Sequence, residues 1–223
     1  MKSRWLLFPM LLLLLHYPLF AQDSASPTVN LVFDFPNSDP EHFSLLVHAD
    51  GRASYDSNGK LTSTTEDKDP FHLDFVLSSS SRDRLFDLVK RANYFDGDVD
   101  TKLPNIAFTG KKTVTYQDGQ HNTHATYNYS ANPSVQAFTA FCQHISETLE
   151  FGRRLQFYRR YQKLALDDEL SSLEEMQRDN QLADLPAIAP ILQSIAKDPT
   201  LLNMARGRAL RILDRAGVHN SPR

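Results

Sequence analysis

Hydrophobic residues recur at every second position in several short runs of the first half of the chain. In Val29–Phe35 the odd-numbered positions are apolar and most even-numbered positions are polar, and Phe71–Leu77 repeats this pattern. Side chains of a β-strand point alternately to the two faces of a sheet, so a period of two predicts strands with one buried face.

Two Asp-Gly pairs mark the tight turns between such runs. Asp50-Gly51 separates Phe43–His48 from a short return strand, and Asp118-Gly119 separates Lys112–Gln117 from His121–Tyr129. Asp-Gly favours the left-handed turns that join adjacent antiparallel strands. We therefore expect two hairpins and an antiparallel sheet of about five to seven strands.

A helix is predicted between these hairpins, at Ser81–Phe95. Its apolar residues fall at helical spacing: Leu85, Leu88, Val89 and Ala92. The serines of 78–81 are candidate N-caps, because a serine hydroxyl can accept a hydrogen bond from a free amide of the first turn. Gly97 is the expected stop, since glycine readily adopts the left-handed conformation that ends helices.

The second half of the chain changes to a helical period. Asn132-Pro133 is a typical helix start, and apolar residues then recur every three or four positions without a proline until Pro186. This pattern predicts one helix, or two helices nearly in line, from Pro133 to about Asp179, with Asp167 or Asp168 as the cap of a second helix. Two short apolar segments, 187–197 and 201–213, predict a C-terminal helical hairpin that packs back on the long helix.

The predicted fold class is therefore α+β: an antiparallel sheet with a packed helix, followed by a long helix and a C-terminal helical hairpin. We divide the chain into a signal peptide (1–21), an antiparallel β-rich domain with one helix (22–132) and a helical extension (133–223).

The first 21 residues have the pattern of an export signal. Lys2 and Arg4 precede the apolar run Trp5–Leu15, and Ala21 is a small residue suited to cleavage. The apolar run is short for a membrane-spanning helix, which needs about 20 residues. The prediction is a periplasmic or extracellular protein cleaved near Ala21, and the alternative is an uncleaved membrane anchor.

Composition removes several function classes. The 223 residues carry 24 Lys+Arg against 27 Asp+Glu, a balance that disfavours nucleic-acid binding. Residues 22–132 hold 16 acidic and 10 basic side chains, whereas residues 133–223 hold 11 and 12. A single cysteine, Cys142, rules out a disulfide within the chain and is expected to be buried. No catalytic motif, metal ligand set or cofactor loop is recognised, so neither metal nor cofactor is expected.

The order of these elements resembles a domain of unknown function found in exported bacterial proteins. The resembling residues are the hairpins Leu45–Tyr55 and Thr113–Thr126, the helix that ends in Asn93-Tyr94-Phe95, and the helix start at Pro133. The resemblance covers about half of the chain and implies a small α+β fold in a signal-peptide context, with no assigned activity.

The best candidate binding segment is Phe151–Tyr161, where arginines alternate with aromatic residues. Arginine stacks on rings and binds carboxylates or phosphates bidentately, which predicts docking to an acidic protein or an anionic envelope surface. The alternative, which we favour because helices commonly carry such charge pairs, is internal pairing with the acidic β-rich half, or with Glu147, Glu150 and Asp167–Glu169. The candidate binding residues are Arg153, Arg154, Tyr158, Arg159, Arg160 and Tyr161.

Three functional hypotheses follow from the sequence. The first is an exported, non-enzymatic binding protein, because no catalytic constellation is recognised. The second is a hydrolase whose site is formed on the sheet by His48, His72, Asp74 and His124. The third is a structural homodimer built on the long helix.

Overall fold

The computed structural model describes residues 26–62, 65 and 67–218. The signal-peptide prediction for residues 1–21 lies outside the described residues. No helix within the described ranges is both long enough and apolar enough to cross a membrane.

Six antiparallel strands form one sheet, as the period-two pattern predicted. Their order across the sheet is β4-β3-β2-β1-β5-β6, so β4 and β6 are its two edges. The strand bounds are β1 Thr28–Asp34, β2 His42–His48, β3 Arg52–Ser57, β4 Phe71–Val76, β5 Lys111–Gln117 and β6 Asn122–Tyr127.

Helices cover one face of this sheet. Along β1 and β2 every second residue is buried, beginning with Val29 and Phe43, and these side chains join a core that also contains the buried face of the long helix. Sheet and helices therefore share one hydrophobic core, and the α+β class is confirmed.

The first helix, α1 (Ser79–Arg91), begins where its serines predicted and ends earlier. The Ser78 hydroxyl accepts a hydrogen bond from the Ser81 amide. The prediction that the helix reaches Phe95 and stops at Gly97 was wrong, because Asn93, Tyr94 and Phe95 all have positive φ, at 53°, 55° and 59°. Buried Phe95 packs edge-on against Phe138 at 4.8 Å, and this contact stabilises a turn that L-residues otherwise avoid.

The long helix, α2 (Pro133–Tyr161), starts as predicted, with the Asn132 side chain accepting from the Ser134 amide. It ends at Tyr161, and α3 (Leu166–Arg178) then folds back along it. Arg154 and Glu169 are 2.6 Å apart, whereas 15 residues of straight helix would separate them by about 22 Å.

The prediction of two helices nearly in line was therefore wrong. Neither Asp167 nor Asp168 caps α3, since Ala165 occupies the cap position without a side-chain bond and both acids lie in the first turn.

The C-terminal pair is a helical hairpin, as predicted, made of α4 (Ala189–Lys197) and α5 (Asn203–Arg215). A 3-10 turn, Leu185–Ile188, precedes α4. On α3, Glu174 accepts hydrogen bonds from Arg208, Arg211 and Arg215 of α5. The Arg211 and Arg208 bonds lower the pKa of Glu174 to about 2, so ion pairing fastens the hairpin to α3.

Candidate functional site

The face of the sheet opposite the helices is uncovered in the described chain. Its outward-pointing strand residues are all exposed or half-buried. Antiparallel sheets commonly leave one face to solvent. The largest group on this open face consists of hydroxyl and amide side chains: Thr28, Asn30, Ser44, Ser54, Thr113, Thr115, Gln117, Asn122 and Thr126.

Four of the eight histidines of the sequence point from the open face: His42, His48, His72 and His124. His42 lies 2.7 Å from Asp34 across the β1–β2 pair. His72 lies 2.7 Å from Asp56 and 3.4 Å from Asp74.

The hydrogen bond that the His72 ring donates to Asp56 is the main cause that raises the pKa of His72. The open face therefore gains positive charge as the pH falls.

The open face does not assemble the four residues of the hydrolase hypothesis. His124 lies on β6 and Asp74 on β4, five strand intervals apart, which is about 24 Å at the usual spacing. His48, Ser54 and Asp74 do line one groove of ≈480 Å³. Among the described residues, no hydrogen bond involves the Ser54 hydroxyl or the His48 ring.

The arginines of α2 lie mostly inside the molecule. Arg153 is only 7% exposed and pairs with Glu150 at 3.5 Å. Arg154 pairs with Glu169 at 2.6 Å and with Glu147 at 3.3 Å. The alternative of internal pairing is confirmed for these two side chains.

The last turn of α2 is more open. Arg159 pairs with Asp198 at 3.2 Å, and Tyr158 is buried. Arg160 is exposed and stacks on the exposed Tyr161 ring, 5.2 Å from its centre. Of the six predicted binding residues, Arg160 and Tyr161 are the two that remain exposed to a partner.

A buried polar centre joins β3 to α2 and was missed by the sequence analysis. The Glu150 carboxylate, 1% exposed, accepts hydrogen bonds through Oε1 from the hydroxyls of Tyr55 at 3.0 Å and Ser57 at 2.5 Å. Burial, and next the charge of Glu150, raise the pKa of Tyr55 well above its usual value. The three-residue spacing of Glu150 and Arg153 was the available signal, but it did not indicate that either side chain was buried.

The Glu150 side of this buried centre is covered by the backbone at Gly59. A Cβ atom added to Gly59 would lie 2.7 Å from Glu150 Oε2, so the Gly59 backbone seals the carboxylate. Glu150 Oε2 and Arg153 Nη1 are both buried without a hydrogen-bond partner. The centre stabilises the contact between sheet and helix.

A second buried charge lies near the other edge of the sheet. Lys112 is 5% exposed, and its Nζ donates to Thr109 O, Thr109 Oγ1 and Asn128 O, each at 2.8 Å. Burial lowers the pKa of Lys112. The side chain lines a cavity of ≈190 Å³ beside α2, but its three N–H groups are already used.

No group of three metal-ligating side chains lies together in the part of the chain that the structure describes. Comparison of the sequence with protein-family models and with curated proteins found no match. The resemblance to a domain of unknown function stays a prediction.

Proposed function

We propose that this protein is an exported, non-enzymatic binding protein, and that the open face of its sheet contacts a protein partner. The observation that carries the proposal is the open face itself, a six-stranded surface of hydroxyl, amide and histidine side chains without a covering element in the described chain. Export rests on the pattern of Lys2, Arg4 and Ala21.

The size of the open face favours a macromolecular partner. Six strands of six or seven residues span roughly 24 Å by 20 Å, about 500 Å² in projection. One partner in a typical protein complex buries roughly 800 Å². The face therefore supplies more than half of a standard interface.

Charge on the open face indicates the chemistry of the partner. Asp34, Asp56 and Asp74 outnumber Arg52 and Lys111, and residues 22–132 as a whole are acidic. A partner surface rich in Lys, Arg and hydrogen-bonding side chains complements this charge. The earlier prediction of an acidic partner now rests on Arg160 and Tyr161 alone.

Two variants separate these surfaces. Asn30 and Thr115 are paired neighbours at the middle of the open face, and replacing both by Arg adds two positive charges there. We expect the double variant N30R/T115R to bind a cross-linked and purified envelope partner about ten-fold more weakly or worse, because like charges then meet.

The matched control is Arg160→Glu, which changes the charge of the exposed end of α2. Calorimetric titration should give an unchanged affinity for this control. If Arg160→Glu lost binding and N30R/T115R kept full binding, the binding surface would be at Arg160 and Tyr161 and not on the open face. The mass of the mature protein tests export separately, with a first residue near Gln22 expected.

A further inference from the structure

Within the described residues, the β4 edge of the sheet offers backbone groups that no other segment pairs. Leu77 N donates to Gly51 O, which fixes the alternation of the β3–β4 ladder. By that alternation the residues of odd number bond to β3, while the N–H and C=O groups of His72, Asp74 and Val76 point away from the sheet. An uncovered edge of this kind is a template for another strand.

The side chains at this edge are unusually apolar. The inward-facing residues Phe71, Leu73 and Phe75 stay half-exposed, although the equivalent positions of β1 and β2 are buried. Val76 is 69% exposed. Of the exposed large hydrophobic side chains in the described chain, it is the one that lies in a strand. These four residues would lose solvent contact if another strand paired with β4.

The sequence of β4 is complementary to itself. Reading Phe-His-Leu-Asp-Phe backwards exchanges His72 with Asp74 and leaves Leu73 at the centre. In an antiparallel pair of two copies centred on Leu73, each His72 faces an Asp74, and each Phe71 faces a Phe75. The outward backbone groups fit the same register, because His72 and Asp74 would form the hydrogen-bonded pairs and Leu73 the non-hydrogen-bonded pair.

We infer that the protein forms a symmetric homodimer in which two β4 strands pair antiparallel about Leu73. The interface has two-fold symmetry, so each charged or aromatic contact occurs twice. A groove of ≈230 Å³ beside β4, lined by Phe71, Leu73, Ile188 and Ile191 among others, takes up the inward side chains at the dyad. The two sheets then form one continuous twelve-stranded sheet with both open faces on the same side.

Cross-linking tests the register. In the inferred pair the two Leu73 Cα atoms lie about 4.5 Å apart, within the range of a disulfide. The two Val76 residues lie about 20 Å apart. Under mild oxidation of the full chain, we expect Leu73→Cys to form a disulfide-linked dimer and Val76→Cys to form no disulfide between the two copies.

Exposure alone predicts the opposite result, because Val76 is far more accessible than Leu73. Cys142 is buried and does not complicate either variant. Cross-linking of Val76→Cys in preference to Leu73→Cys would overturn the inference.

A proline pair tests the edge itself by sedimentation. Asp74→Pro removes an N–H that points away from β3, which an edge strand tolerates, and deletes two intermolecular hydrogen bonds per dimer. At about 1 kcal/mol each, this loss weakens dimerisation about 30-fold. His124→Pro makes the same change at the β6 edge and should leave the dimer intact.

Unchanged melting temperatures establish that both proline variants remain folded. A wild-type chain that stays monomeric at high micromolar concentration contradicts the inference. Equal dimerisation of Asp74→Pro and wild type would place the interface elsewhere, as in the predicted dimer of long helices. Neither result depends on the partner of the open face.

Discussion

The two edge strands of the sheet, β6 and β4, differ in how far their inward residues are buried. Beyond β6 the chain is covered by the preceding loop: Thr101 N donates to Tyr129 O, and the Asn128 side chain bonds both Thr109 and Ala107. The inward residues Ala125 and Tyr127 are buried. At the other edge strand, β4, the inward residues Phe71 and Phe75 are half-exposed. An exposed apolar edge is a liability unless something pairs with it.

The buried charges near the two edges also differ in how completely they are hydrogen-bonded. Lys112, on β5 beside β6, has an oxygen acceptor for each of its three N–H groups. On the β4 side, Glu150 and Arg153 pair at 3.5 Å, yet each retains a buried atom without a hydrogen bond. A charge pair of this kind is costly to break, because removing one partner leaves the other buried and uncompensated.

The largest effect is expected from Arg153→Met. This change leaves the Glu150 carboxylate buried without its counter-charge, which destabilises the fold by about 3–5 kcal/mol. Urea unfolding measures the loss, and Arg160→Met is the matched control on the exposed side of the same helix, with an expected change within about 0.5 kcal/mol. A loss no larger than the control would mean that the pair is unimportant.

A smaller effect is expected from Lys112→Met near the β6 edge. Methionine keeps the apolar stem but leaves the carbonyls of Thr109 and Asn128 without their donor, a loss of about 1–3 kcal/mol. The adjoining cavity of ≈190 Å³ can admit water to these oxygens, which limits the cost. Urea unfolding measures this loss as well. A larger loss of unfolding free energy for Lys112→Met than for Arg153→Met would contradict the expected order of the two variants.

The smallest effects are opposite responses of the two edges to pH. The pKa of His72 is raised, chiefly by the hydrogen bond to Asp56, so the protonated form is favoured in the folded state. The stabilisation at the β4 edge is full below the ordinary histidine pKa and is lost as the pH rises through the raised value.

The stability of the β5–β6 hairpin depends on pH in the opposite sense. Desolvation raises the pKa of Asp118, but hydrogen bonds from the amides of Gln120 and His121 outweigh it and hold that pKa well below its usual range. The stabilisation there is present above the ordinary aspartate pKa and is lost as the pH falls below it. Amide hydrogen exchange of β4 and β6 across pH measures both responses, with His72→Gln and Asp118→Asn as the variants that remove them.

Local patterns in the sequence predicted the parts of the fold that depend on neighbouring residues. Alternation predicted the strands, and Asp50-Gly51 and Asp118-Gly119 predicted the hairpins, because these signals act within a few residues. The end of α1 was missed since it is set by burial of Phe95 against Phe138, a distant residue. The turn between α2 and α3 was missed for the same reason, because contacts such as Arg154 with Glu169 form only after the chain reverses.

The candidate sites depended even more on tertiary structure. Spacing placed the four arginines on one helix but could not tell which of them faced acids in the folded protein. Alternation placed His72, Asp74 and His124 on strands, whereas the strand order set the distance between them. Spacing indicated that Glu150 could pair with Arg153, but it gave no sign that Glu150 is buried, because its partners Tyr55 and Ser57 come from a strand about ninety residues away.

Burial of Cys142 makes the reactivity of its thiol a measure of how often the surrounding core opens. The thiol is fully enclosed by α2 and its neighbours, and desolvation raises its pKa, so reagents that attack thiolates reach it only when the surrounding core separates. The rate at which such a reagent labels the native protein therefore reports how often the core around Cys142 opens, without a denaturant.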